Sequence, residues 1–355
     1  MADDFKYHID HHASLVPPTD LVATRAGNAR GDITDEALAA AEDVTINEIL
    51  SMQRRLGLAA FSDGEFRRRN SLSVLYDGVD GFAPGDSSPC AELVGPAHAP
   101  EVRTVVATPS ASGRLTKEEA QYLRGHTDRS TLVALPSPGF LAELTAVPAQ
   151  AATTGAALAG IVRDEINALA GDGINYVLLR NPAYAFLLTD QGRHRAEALG
   201  IDAKAALARM LEADSQTLDG LTGPDEFRVG LDLTTGAQAP QDWNSVAVQE
   251  FLGRQPFDRL CVEYSGDVSE RFPLELAPRP VVMSLGIVDV SSPELETVDE
   301  LLSRIDAAAA VMDVDNIAIS TNGGFHVPGA AAYGYQRVKL QRVEMVARYF
   351  WGNEL

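Results

Sequence analysis

The feature that most constrains this chain is a regular alternation, from about residue 131 onward, of short apolar runs with longer stretches of helical period. Thr131-Leu132-Val133-Ala134-Leu135 stops at Pro136-Ser137-Pro138-Gly139. A helical stretch from about 153 to 170 leads through Gly171-Asp172-Gly173 to the run 175–179, and another near 195–218 precedes 227–233. The runs 260–264, 280–287 and 317–320 follow, with helices expected around 298–312 and 334–349. Apolar runs of strand length separated by helices are the pattern of parallel strands buried on both faces. Two further strands are expected nearer the start, at 6–15 and 58–61, which brings the total to the eight of a closed (β/α)8 TIM barrel. An open doubly wound sheet is the other architecture the alternation allows. No glycine-rich dinucleotide fingerprint follows the first strand, however, and there is neither a P-loop nor an internal repeat.

Length and charge narrow the reading. At 355 residues and 45% hydrophobic, the chain exceeds a bare barrel by enough for an insertion within a single domain. Residues 75–113, rich in Gly, Pro, Asp and Ser around the β-like Val102-Arg103-Thr104-Val105-Val106-Ala107, are the expected hairpin-bearing insertion. A helix over 34–56 is bounded by Thr34 as N-cap and Gly57 as stop, and Thr116-Lys117-Glu118-Glu119 reads as a capping box. The net charge of -21 opposes nucleic-acid or anionic-membrane binding and leaves small molecules as the expected partners. Cys90 and Cys261 are too few for a disulfide framework or a cysteine-rich metal site, and with no signal peptide or long apolar span a reducing cytoplasm is expected.

In a barrel, polar residues at the C-terminal ends of the strands converge on one mouth. The stretch Ser62-Asp63-Gly64-Glu65-Phe66-Arg67-Arg68-Arg69, directly after an apolar run, carries the densest charge of this kind. The other strand ends supply His11 and Ser14, Ser137, Arg180 and Asn181, Asp232 and Thr234, Glu263, Asp289, and Thr321 and Asn322. Glu263, Asp232, Glu65 and Asp63 are the candidate proton carriers, because clustered acids in a desolvated mouth raise one another's pKa. Of the histidines at 8, 11 and 12, neighbours on a strand face opposite ways, and His11 is taken as the inward one.

The order Asp10-His11-His12-Ala13-Ser14-Leu15, Asp63-Gly64-Glu65-Phe66-Arg67-Arg68, Cys261-Val262-Glu263-Tyr264, Leu285-Gly286-Ile287-Val288-Asp289 with Ser292-Pro293 and Glu296, and Gly324-Phe325 resembles the C-terminal catalytic domain of cobalamin-independent methionine synthase. It is most similar to the stand-alone, single-barrel relatives of that enzyme, over essentially the whole chain. The resemblance implies a zinc ion that binds a thiol substrate and presents its thiolate to a methyl donor. It implies ligands from a His-x-Cys, a Glu, and a Cys before Gly-Phe, which fall in order on Asp232-Leu233-Thr234, Glu263 and Gly323. Only the glutamate persists. The family's Asp-Glu-Pro, which helps hold the substrate amino acid, corresponds to Arg180-Asn181-Pro182, so an acid facing an ammonium has become a cation. Two further family positions correspond to Ser291 and Pro17, while Ser14, Asp63, Glu65 and Glu263 are kept.

Three readings follow. In the first, no cofactor is used, and a small carboxylate-bearing or aromatic substrate undergoes lyase, decarboxylase or hydrolase chemistry. Arg180 pairs the anion, Glu263, Asp232, Glu65 or Asp63 moves protons, and His11, Ser14, Asn181, Thr234, Asp289, Asn322 and His326 complete the binding set. In the second, a divalent metal is held by Asp232, Glu263 and His326, with His11 in reach, and serves a methyl or alkyl transferase. In the third, the chain is a non-catalytic subunit paired with a zinc-bearing paralogue; a homo-oligomer is the other expected assembly.

Overall fold

The computed structural model describes residues 8–85, 88–278, 280–325 and 333–352. Nine strands occur in it: β1 (Ala60–Phe61), β2 (Val79–Pro84), β3 (Arg103–Ala111), β4 (Ser130–Pro136), β5 (Tyr176–Arg180), β6 (Arg228–Asp232), β7 (Arg259–Glu263), β8 (Val282–Val288) and β9 (Ile317–Thr321). Seven form one sheet in the order β1-β4-β5-β6-β7-β8-β9, every neighbouring pair parallel. That is the curled sheet of a (β/α)8 TIM barrel, with the eighth stave supplied irregularly. The expected first strand is a single bridge, Ile9 to Ile319, with backbone bonds Asp10 N to Ile319 O (2.9 Å) and Ile319 N to His8 O (2.8 Å). Lys6 and Tyr7 of that expectation lie outside the described residues. The same segment reaches β1 on its other side: the Ser62 hydroxyl donates to Ala13 O at 2.7 Å, and Leu15 N donates to Gly64 O at 3.1 Å.

Strand alternation sorts the side chains into two cores. Val133, Leu135, Val177, Leu179, Leu231, Leu260, Val262, Met283 and Leu285 face the helices in one large cluster, while Ala60, Leu132, Ala134, Tyr176, Leu178 and Cys261 fill the barrel with Ala13. Small residues surround Tyr176 because its ring takes the central volume. A Cβ on Gly230 would stand 2.7 Å from the Tyr176 hydroxyl. Deeper inside, Asp10 pairs with Arg259 at 2.8 Å, both buried.

The helix Asp35–Leu56 starts where expected, with the Thr34 hydroxyl accepting from Ala37 N, and ends at Gly57 with φ 67. The helix expected over 195–218 is two, Asp190–Ala198 and Ala203–Leu218, because Gly200 turns left-handed (φ 79) and Asp202 caps a new start. The capping box expected at 116–119 does not form: the Thr116 hydroxyl donates to Glu165 (2.7 Å), and Glu119 turns inward to Arg68 (2.7 Å). The insertion carries the antiparallel pair β2/β3, with the short helix Pro89–Val94 in its connection, and contributes His98 to the barrel mouth beside Ser71 and Leu72, which precede it. Among the described residues, no helix is long and apolar enough to cross a membrane.

Candidate active site

The strand-to-loop junction after β1 is built by backbone geometry. Gln53 clamps it from the preceding helix, accepting from Ser62 N (2.9 Å) and donating to Ser62 O (2.7 Å). Gly64 (φ 73) and Glu65 (φ 61) then turn left-handed in succession, and a side chain on Gly64 would strike Ile49 at 2.8 Å. A left-handed glutamate is strained and persists only where its surroundings hold it. Here two arginines do. Arg68 donates to Glu65 Oε1 at 2.9 Å and to Glu119 Oε2 at 2.7 Å, and Arg180 donates to Glu65 Oε2 at 3.0 Å and to His12 O.

Glu65 and Glu119 thus share the guanidiniums of Arg68 and Arg180, Asp63 stands beside them with Oδ1 accepting from Glu65 N (2.8 Å), and all five side chains are buried. Burial pushes both Asp63 and Glu119 upward against the pull of Arg68. Three acids against two cations leave one acid better off protonated. Asp63 is the better holder of that proton: its Oδ2 is buried without a partner, whereas Glu119 accepts two bonds from Arg68.

The second group is a buried pair. His12 Nδ1 lies 2.7 Å from Asp232 Oδ2, and its Nε2 lies 2.8 Å from Thr321 O. The other Asp232 oxygen accepts from Thr234 N (2.9 Å) and the Thr234 hydroxyl (2.6 Å). Burial alone disfavours charge on either partner, but attraction to Asp232 raises His12, and His12 with the Thr234 donors brings Asp232 below the usual carboxylate range. The expectation for His11 is corrected. Its Nε2 bonds Ala60 O (2.7 Å), its Nδ1 accepts from Ala13 N (3.2 Å), and burial lowers its pKa, so it fastens the N-terminal segment rather than facing the mouth. Left-handed Ala13 (φ 63) breaks the strand geometry on which simple alternation relies.

Glu263 forms the third group. One oxygen accepts from Thr235 N (2.8 Å) and the Thr235 hydroxyl, the other from Ala237 N (3.2 Å) and Gln241 Nε2 (3.0 Å). Burial still pushes this carboxyl up to about 7 despite the four donors.

A narrow pocket joins the first two groups. It is lined by Leu72, His98, Pro136, Phe140, Arg180, Pro182, Asp232, Thr234, Thr235 and the Gly323-Gly324 backbone, with Ser71 at the edge. The space open to a water-sized sphere is about 20 Å³, room for a water or two. Pro136, Arg180 and Asp232 are register partners on β4, β5 and β6, which places the guanidinium and the carboxylate side by side on the inner wall. Arg180 Nε is buried without a partner, and burial lowers His98 to about 4, so that imidazole is neutral.

The remaining expected residues stand elsewhere. Asn181 donates to Ser137 and Asp214 behind the wall, Asp289 accepts from Ser291 N, the Ser291 hydroxyl and Asn322 Nδ2, and Asn322 Oδ1 accepts from Val290 N. These three tie loops together and do not line the pocket. Ser14 is buried beside His12, its N donating to His12 O. His326 lies outside the described residues. His12, His98 and Glu119 are site residues that sequence reasoning missed: nothing local distinguishes His12 from His11, His98 belongs to the insertion, and Glu119 reads as part of a helix start.

The zinc set implied by the resemblance does not fit these residues. Asp232 is engaged by His12 and Thr234, both Glu263 oxygens are occupied by loop donors, and Gly323 offers no side chain. Among the described residues, no three His, Cys, Asp or Glu side chains are grouped to hold a metal ion.

No family model matches the chain. It is 25% identical over 342 residues to the uncharacterized Bacillus subtilis protein YxjH, covering 90% of this chain and 87% of that one. Its fold is that of a candidate vitamin-B12-independent methionine synthase from Listeria monocytogenes, with TM-score 0.77, 18% identity and 98% of each chain covered. A B12-independent methionine synthase from Shewanella in complex with selenomethionine superposes with TM-score 0.71 and 17% identity over 96% of each chain. The structural neighbours are therefore stand-alone barrels of the cobalamin-independent methionine-synthase type.

Proposed function

We propose that the protein is an enzyme performing metal-independent acid/base chemistry, of lyase, decarboxylase or hydrolase type, on a small carboxylate-bearing or aromatic molecule. The observation that carries this reading is the buried His12–Asp232 pair set beside Arg180, whose Nε still lacks an acceptor. A buried donor without a partner on a pocket wall is the position a ligand oxygen fills. Arg180 orients the carboxylate, and the apolar surfaces of Leu72, Pro136, Phe140 and Pro182 part to take the body of the molecule, because the pocket as it stands admits only a water or two. Asp232 is the member of the pair that lines the pocket, so it exchanges the proton with the ligand. His12 stands behind it, and the pair titrates as a unit: with His12 charged, Asp232 is a weak base, and loss of the His12 proton strengthens it.

The test is a panel of small mono- and dicarboxylates, benzoates included, offered in the presence of a chelator. Binding is read by thermal shift and conversion by mass spectrometry. Turnover is expected to survive chelation and to fall by roughly 10²–10⁴ in Asp232→Asn. The stabilisation by carboxylates is expected to vanish in Arg180→Met. Turnover that requires an added divalent metal, or carboxylate binding indifferent to Arg180, refutes the reading.

A further inference from the structure

We propose that the loop 235–241 has taken the volume that holds the metal in the resembled enzymes, with Glu263 turned from ligand into the latch of that loop. The inference stands on the donors around Glu263 and on Gly323, and is independent of the reaction proposed above. A metal-binding carboxylate needs lone pairs aimed at an open position. Both Glu263 oxygens are instead taken by N–H and O–H groups of one short segment, from Thr235, Ala237 and Gln241. The loop is anchored twice more. Gly236 N donates to Asn322 O at 2.9 Å, and Thr235 O lies 3.1 Å from His98 Nε2 of the insertion.

Gly323, where the resemblance places a cysteine, explains how the loop comes so close. A Cβ at Gly323 would stand 2.8 Å from Gly236 N and 3.2 Å from its Cα. These are backbone atoms that cannot swing away as a flexible side chain does. Any side chain at 323, cysteine included, would displace the loop, so the lost ligand and the close approach are one change seen from two sides. Gly236 (φ 62) and Ala237 (φ 60) are both left-handed, and such backbone in a non-glycine residue persists only where contacts over-determine it. The Glu263 carboxylate, bonded to Ala237 N, is that contact. Because Thr234 and Thr235 line the pocket, the latch also fixes the pocket roof, which makes Glu263 a positioning residue.

The experiment is hydrogen–deuterium exchange of the full chain at pH 8, run beside zinc titration followed by native mass spectrometry. In Glu263→Gln the amide nitrogen faces Ala237 N and Gln241 Nε2, donor against donor, and exchange across 235–241 is expected to quicken by ~10-fold or more while the outer strands keep their protection. Gly323→Ala, which leaves the carboxylate intact, is expected to quicken the same segment. Wild type is expected to take up no stoichiometric zinc, and so is the ligand-restored Asp232→His/Thr234→Cys variant that retains Gly323. One equivalent of zinc on wild type, lost in Glu263→Gln while the loop exchanges as before, overturns the proposal. So does unchanged exchange in both variants.

Discussion

Replacing Arg180 by leucine tests whether the buried charge cluster is balanced as described. The substitution removes the guanidinium that holds Glu65 Oε2 at 3.0 Å, leaving three buried acids against Arg68, and it takes one of two donors from His12 O, which keeps its bond from Ser14 N. Breaking a buried pair from one side costs about 3–5 kcal/mol, and His12 O adds little because Ser14 N still satisfies it. Arg68 still reaches Glu65, and the variant can recruit a proton, so the expected loss at pH 8 is about 3–4 kcal/mol. The pH dependence has a definite sign. Burial already raises Asp63 and Glu119, and removing a neighbouring cation disfavours their charged forms further, so the variant binds protons more readily when folded and gains stability as pH falls. Urea unfolding of wild type and variant at pH 8 and pH 5.5 should therefore show the gap narrowing at the lower pH. Adding Glu65→Gln should recover much of the loss, giving a coupling energy of ~1–3 kcal/mol in the double-mutant cycle. A gap below ~1 kcal/mol at pH 8, the same gap at both values, or strictly additive effects would refute the reasoning.

Three further outcomes are expected. Burial pushes the Glu263 carboxyl up to about 7 from the ordinary 4.5, so the part of its stability linked to protonation is full below pH 4.5 and is lost as pH rises through 7, leaving the loop bonds alone above that. Stability curves of wild type and Glu263→Gln against pH should differ in slope over that window by an integrated ~3 kcal/mol. The His12–Asp232 pair combines a raised histidine with a lowered carboxylate, so its stabilisation should fade as pH rises through the folded His12 value and as pH falls through that of Asp232. His12→Gln should abolish the fade at the alkaline end, measured by thermal unfolding across pH. Gly230→Ala forces a Cβ to within 2.7 Å of the Tyr176 hydroxyl and should cost ~1–3 kcal/mol in urea unfolding, relieved by Tyr176→Phe.

What was legible in the sequence was what short-range chemistry dictates. Thr34 and Gly57 bounded their helix as expected, and the apolar runs at 131–135, 175–179 and 260–264 became β4, β5 and β7, because a strand buried on both faces has no other composition to offer. The acids and arginines after β1 were visible as a charged junction, yet their pairing was not. Glu119 was read as half of a capping box, whereas Arg68, 51 positions away, outcompeted the helix terminus for it. His11 and His12 could not be told apart because the choice depends on a left-handed Ala13 and on the register with Ile319. Glu263 was visible as a candidate proton carrier, but its engagement by Thr235, Ala237 and Gln241 exists only once residues 22 to 28 positions apart are folded together.

The irregular eighth stave has a consequence for biosynthesis. Asp10 meets Arg259 across 249 positions, His12 meets Asp232 across 220, and His12 also reaches Thr321 across 309. A nascent chain that has not yet released residues 232 and 259 from the ribosome holds His12 and Asp10 without these charged partners, and the bond to Thr321 O waits longer still. The proton-handling pair and then the barrel ring thus close only after the intervening strands and helices have formed, and pulse-labelled intermediates should show the helices protected well before Asp10 to His12.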